Sequence, residues 1–176
     1  MKMKIVGVIV GVVVFIGILP LLIGLFIPSE RTYTKEFVFD SSVEKVWNIV
    51  TDLKGQERWR SDVKEIKIIS NENGNEVWIE IPQKGPSIKF RTVEKIENKS
   101  WTMEIIDNPS FTGKWVGTFE AVDKNTTKVV FTESPLITNP YMRTLSLIFV
   151  NMDKTMELYL ENLEIALGGE QDEKTK

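Results

Sequence analysis

The chain reads as an α+β protein in which a curved antiparallel sheet wraps a long C-terminal helix, preceded by one transmembrane helix. Three observations predict this. Residues 5–27 form an uncharged apolar run. Six alternating segments, separated by turn residues, fill 63–133. From Pro140 to about Leu167, Leu145, Phe149, Met152, Met156, Leu160 and Leu163 repeat at spacings of three and four.

The apolar run would span about 34 Å as a helix, enough for a hydrocarbon core of roughly 30 Å. A cleaved signal peptide is the alternative, but its apolar region is about 7–15 residues long and ends in a small-residue cleavage site. Phe26, Ile27, Pro28, Ser29 and Glu30 offer no such site. The run therefore reads as an uncleaved anchor in a cell membrane, with Pro20 as a local kink. Lys2 and Lys4 precede it, and Arg31 and Lys35 follow it. The positive-inside rule tilts, by a narrow margin, toward a short cytoplasmic segment at 1–4 and an extracytoplasmic domain. Gly7 and Gly11 form a GxxxG pair that could join two anchors in a homodimer, although glycine is common in such helices.

After a linker at 28–31, Arg31–Asp40 alternates as a strand with Tyr33, Phe37 and Phe39 on one face. Ser41 or Ser42 can cap a short helix carrying Val43, Val46, Trp47 and Val50, and Lys54-Gly55 breaks it. The six strands are 63–70, 76–81, 87–97, 100–106, 111–122 and 126–133, and their short connections favour hairpins. Gly168-Gly169 is expected to end the long helix, leaving 168–176 as a polar tail.

Composition excludes much chemistry. Among 176 residues there is no His and no Cys, so disulfides, thiolate nucleophiles, imidazole bases and nearly all zinc sites are ruled out. No EF-hand-like spacing is present, and neither metal nor cofactor is expected. The net charge is −3, with no basic block, which argues against nucleic acid as a partner. Setting aside 1–27 removes two lysines and no acid, so the remainder is more acidic still.

Period-two reading places one set of side chains toward the long helix: Val77, Ile79 and Ile81; Ile88, Phe90 and Thr92; Trp101, Met103 and Ile105; Trp115, Gly117 and Phe119; Val129, Phe131 and Glu133. The helix adds Phe149, Met152 and Met156. Such adaptable apolar walls either enclose a guest or fill the core completely, and periodicity alone leaves both open. Trp47 belongs to the core. Glu133 is the anomaly, a carboxylate on the apolar face. Either it is bridged by Arg143, with Arg58 and Arg60 in a nearby loop, or it is a polar group at a pocket mouth.

The segment Phe37-Val38-Phe39-Asp40-Ser41-Ser42-Val43-Glu44-Lys45-Val46-Trp47, with Thr51-Asp52-Leu53 and Trp59, resembles the opening of the START-like (SRPBCC) superfamily. Thr112-Gly113-Lys114-Trp115, Thr126-Thr127-Lys128-Val129 and Thr132-Glu133 resemble its penultimate strands. Asn139-Pro140-Tyr141-Met142-Arg143 resembles the opening of the last helix in its polyketide cyclase/dehydrase-like branch. Ser41-Ser42 stands where Ala-Pro is usual. The resemblance covers about 32–167 and implies a helix-grip fold with an apolar cavity between sheet and helix. It carries over no catalytic set, and the His-rich iron site of oxygenase relatives cannot be built here.

The expected function is a membrane-anchored module binding a hydrophobic small molecule or lipid. Candidate ligand-binding residues are Trp59, Phe90, Trp101, Met103, Trp115, Phe119, Phe131, Glu133, Arg143, Phe149, Met152 and Met156. A cyclase- or dehydratase-type enzyme, with Glu133 as acid or base and Tyr141 or Arg143 polarising a carbonyl, is one alternative. A non-catalytic scaffold dimerising through its anchor is another. The sequence favours binding over catalysis.

Overall fold

The computed structural model describes residue 11, residues 14–72 and residues 75–173. Residues 1–4, Gly7, most of the first half of the expected span and the last three residues lie outside this set. The Gly7–Gly11 pair is therefore described only at Gly11. Among the described residues no helix is long and apolar enough to cross a membrane. A π-helical turn, Val14–Ile18, continues into α1, Leu19–Phe26. Pro20 falls in the first turn of α1, at its junction with the π-helical turn.

Next come β1 (Tyr33–Phe39), α2 (Val43–Thr51) and α3 (Gln56–Trp59). The strands β2 (Val63–Glu72), β3 (Asn75–Pro82), β4 (Ile88–Ile96), β5 (Ser100–Ile106), β6 (Thr112–Asp123) and β7 (Thr126–Leu136) follow. The chain then forms α4 (Pro140–Phe149) and α5 (Met152–Glu173). The seven strands make one antiparallel sheet in the order β1-β7-β6-β5-β4-β3-β2, so the first strand closes against the last. Register shifts at Val63/Glu65, Ile68/Ser70, Thr92/Glu94 and Ala121/Asp123 mark bulges, which bend strands and curl the sheet. On the concave side α2 buries Val43, Val46, Trp47 and Val50, and α5 buries Met156, Leu160, Leu163 and Leu167.

Local chemistry sets the ends of these elements. Ser42 caps α2 by accepting from the Lys45 N–H at 3.4 Å. Asp52 accepts from the Gly55 N–H at 2.9 Å, and α3 starts at the Lys54-Gly55 break that was expected to be loop. Glu57 of α3 accepts from the Ile66 N–H at 2.5 Å, fixing α3 to β2. The Lys54 ammonium and that N–H hold its carboxyl below the usual range.

Four expectations need correction. The long C-terminal helix is two helices: Val150 is extended, and Asn151 accepts from the Lys154 N–H at 3.1 Å as the cap of a new helix. The apolar spacing runs across that break, which is why periodicity missed it. α5 continues through Gly168-Gly169 to Glu173, because glycine weakens a helix by only about 1 kcal/mol and does not forbid it. On β3 the inward residues are Trp78 and Glu80 rather than Val77, Ile79 and Ile81. Burying the large Trp78 ring outweighs burying the isoleucines. Finally, Phe149 ends α4, 77% exposed, and lines no interior.

Candidate functional site

The inner face of the sheet carries a chain of aromatic contacts. Trp78 stacks on Phe90 at 5.5 Å and on Trp101 at 5.8 Å. Trp101 meets Trp115 at 5.6 Å, Trp115 meets Phe131 at 5.0 Å, and Phe119 meets Phe131 at 5.9 Å. Gly117 makes this possible: a Cβ there would stand 2.4 Å from the Trp115 ring, which lies across it. Trp101, Trp115, Phe119, Phe131 and Met156 are buried, whereas Phe90, Met103, Trp59 and Met152 are half-buried. The side chains expected to wall a hollow thus occupy much of it themselves. A recess of about 390 Å³ lies elsewhere, between Trp47 and the β3–β4 end at Asn75, Thr92–Lys95 and Glu97.

Polar groups enter this apolar interior at Thr92, which accepts from Trp101 Nε1 at 3.2 Å, and in a larger cluster around Arg60. Arg60, just after α3, is gripped by Asp62 at 2.7 and 3.3 Å, by Gln56 Oε1 at 2.9 Å and by Glu80 at 3.1 Å. Trp78 Nε1 also donates to Glu80, at 3.3 Å. Gln56 is itself fixed by donating to the Val50 carbonyl at 2.8 Å. Burial alone would lower the Arg60 pKa, but Glu80 and Asp62 outweigh it and keep the guanidinium charged. Its charge lies over the Tyr159 ring, 5.3 Å from the centroid.

Tyr159 links the cluster to the aromatic chain, meeting Trp59 at 5.2 Å and Phe131 at 5.6 Å. Glu133 follows two residues after Phe131 on the same face, opposite Tyr33 of β1 and Trp115 of β6. Its carboxylate takes no hydrogen bond or ion pair from any described residue. Burial pushes its pKa up to about 7; Arg60 opposes the rise and Glu80 adds to it. Burial likewise raises Tyr159, keeping it a neutral phenol. Trp59 Nε1 is buried with no acceptor. Unpaired buried polar atoms are rare and cost about 1–3 kcal/mol; among the described residues Ser41 Oγ, far from this cluster in sequence, is the other one.

The expected Glu133–Arg143 bridge does not form. Arg143 donates to four main-chain carbonyls, those of Ile137, Thr138, Gly24 and Ile27, at 2.8 to 3.1 Å. It ties α1 to the start of α4 and is spent on that task. Tyr141, two residues before it on α4, is half-buried and is not part of the cluster around Glu133. Of the ligand-binding candidates, Trp59, Phe131 and Glu133 come together with Tyr159, Phe149 and Arg143 lie apart, and the rest belong to the aromatic core or its margin. Sequence reading missed Gln56, Asp62, Glu80 and Tyr159. Glu80 was hidden by the inverted phase of β3; Tyr159 lies three residues after Met156, on the stripe, and was legible there. Among the described residues no group of acidic side chains is arranged to hold a metal ion.

A family model described as polyketide cyclase / dehydrase and lipid transport matches residues 30–145. No curated protein matches the chain. Solved structures similar in fold include a START superfamily protein from Mycobacterium smegmatis, with 16% identity and a TM-score of 0.63 over 78% of this chain and 97% of that one. The Zhui aromatase/cyclase from Streptomyces sp. R1128 has 13% identity and a TM-score of 0.64 over 84% and 96%. Norcoclaurine synthase from Thalictrum flavum has 8% identity and a TM-score of 0.65 over 81% and 96%. At these identities the likeness is one of fold.

Proposed function

The chain belongs to the polyketide cyclase / dehydrase and lipid transport family, and from that premise we propose that it is a membrane-tethered module binding an apolar small molecule or lipid with a polar head. The observation that carries the reading is the Trp59 N–H, buried without an acceptor, at the end of the aromatic interior where burial raises the Glu133 carboxyl to a pKa of about 7. The apolar body of a ligand packs against Tyr159, Phe131, Met152 and the half-buried Phe90 and Met103. Its head accepts from Trp59 and from protonated Glu133. The uncharged run at 5–27 holds the domain beside a bilayer, the source of such a ligand, with the domain on the extracytoplasmic side.

The test is titration of the full chain in phosphatidylcholine nanodiscs with a fluorescent fatty acid. Saturable binding that Glu133→Leu and Trp59→Phe both weaken supports the reading. Non-saturable uptake, equal to that of empty nanodiscs, rejects it.

A second reading rests on the Glu133 pKa of about 7, which suits a general acid or base at neutral pH. Tyr159 and Trp59 would then donate to a developing oxyanion, as in a cyclisation or dehydration. Here Glu133→Gln would abolish turnover while leaving ligand binding measurable, and equal turnover in the two proteins would exclude the carboxyl from the chemistry.

A further inference from the structure

α4 is built inside out for a helix in water. Its polar side chains point inward. Thr144 donates to the Pro20 carbonyl at 2.7 Å, Arg143 binds the carbonyls of Gly24 and Ile27, and Ser146 accepts from Arg31 Nη2 at 2.7 Å. Its apolar side chains point outward. Leu147 is 53% exposed, Ile148 65% and Phe149 77%, and Val150 just beyond the helix is 50% exposed. Arg143 is the one charged residue of α4, and its guanidinium is fully engaged with main-chain oxygens, so the outer face carries no charge.

This face is continuous with a second one. α1 crosses the start of α4 so closely that a Cβ on Gly24 would stand 1.7 Å from the Pro140 carbonyl oxygen. Around that contact α1 exposes Leu21, Leu22, Leu25 and Phe26, the last at 90%. α1 is in turn the end of the uncharged run 5–27. An apolar surface on this scale, contiguous with a run long enough to span a bilayer, has one medium that suits it.

We propose that α4 is a second membrane element: an interfacial helix lying in the outer acyl layer beside the N-terminal anchor. The inference rests on the tether reading above. At about 15 Å long it cannot span, but it can bury its apolar face about 5–10 Å below the headgroup boundary. Its placement has a consequence for the site. Ser146 holds Arg31, Arg31 lies 5.9 Å over the Tyr33 ring, and Tyr33 pairs with Glu133 across β1 and β7. The polar end of the site therefore lies one strand pair from the helix that touches lipid, on the side from which an amphiphile would arrive.

The chain has no cysteine, so single-cysteine labelling is unambiguous. The full chain carrying Phe149→Cys or Ile148→Cys, each labelled with the dye NBD, is reconstituted in phosphatidylcholine vesicles with and without doxyl-labelled phosphatidylcholine. Val122→Cys, exposed on β6, is the control. The expected result is co-flotation of all three, with blue-shifted and doxyl-quenched emission at 149 and 148 and neither at 122. Co-flotation with unquenched, water-like emission at 149 and 148 overturns the interfacial helix and leaves the tether standing. A blue shift without quenching also overturns it, since a second copy then covers the face. Failure to float overturns both readings.

Discussion

Replacing Glu133 by Gln isolates the cost of placing a carboxyl in the aromatic interior. The folded pKa is about 7 against an ordinary 4.5, and burial is the main cause. Below pH 4.5 the group is protonated in both folded and unfolded chains and costs nothing. Between 4.5 and 7 the folded chain keeps the proton while the unfolded chain releases it, so stability falls as pH rises. Above 7 both are ionised and the full cost applies. The interval from 4.5 to about 7, at 1.36 kcal/mol per pH unit, amounts to a cost on the order of 3 kcal/mol. Glutamine has nearly the same shape and no charge. Glu133→Gln is therefore expected to match the wild type near pH 4.5 and to exceed it progressively up to pH 8. Urea unfolding of the full chain in mild detergent, followed by tryptophan fluorescence, reads the difference directly. Parallel stability curves from pH 4.5 to 8 would show that the carboxyl is solvated or paired, and the desolvated site would have to be abandoned.

Three further outcomes are expected. Trp59→Phe removes the donor that lacks an acceptor, so the urea midpoint should hardly change while affinity for the fluorescent fatty acid falls about tenfold, the worth of one hydrogen bond; a large loss of stability with unchanged affinity would make Trp59 a core residue only. Gly117→Ala forces a Cβ against the Trp115 ring and should cost about 1–3 kcal/mol in thermal or urea unfolding, with no loss if the ring is not seated there. Arg143→Lys cannot reach four carbonyls in two directions and should weaken the α1–α4 contact by about 1.5–3 kcal/mol, seen as faster protease cleavage in the 28–31 linker; unchanged cleavage would mean that the contact does not depend on the guanidinium.

The fold was largely legible because its signals are local. Ser42 before an apolar 3.6-residue pattern, turn residues after each alternating segment, and Asn139-Pro140 at a helix start each dictate structure within a few positions. What escaped depends on contacts remote in sequence. β3 has large apolar residues on one face and Trp78 and Glu80 on the other; burial of the Trp78 ring turns that face inward, and Arg60, twenty positions earlier, pairs the Glu80 carboxylate that goes with it. The break at Val150-Asn151 was hidden by apolar spacing that runs through it, although Asn151 followed by Asp153 is itself a helix-start signal. Glu133 was visible as an anomaly of parity. Its partner was misjudged because Arg143 is near in sequence, yet the carbonyls that occupy it come from α1 and from the turn between β7 and α4.

The central claim is that the Trp59 N–H and the Glu133 carboxyl await the head of an apolar ligand. Organic extraction of the full chain purified from membranes, followed by mass spectrometry, tests it most directly when wild type and the Trp59→Phe/Glu133→Leu double variant are compared. The account predicts a near-stoichiometric apolar species with a hydrogen-bonding head in the wild type, strongly depleted in the variant. The same species in equal amount in both, or none in the wild type, would contradict it.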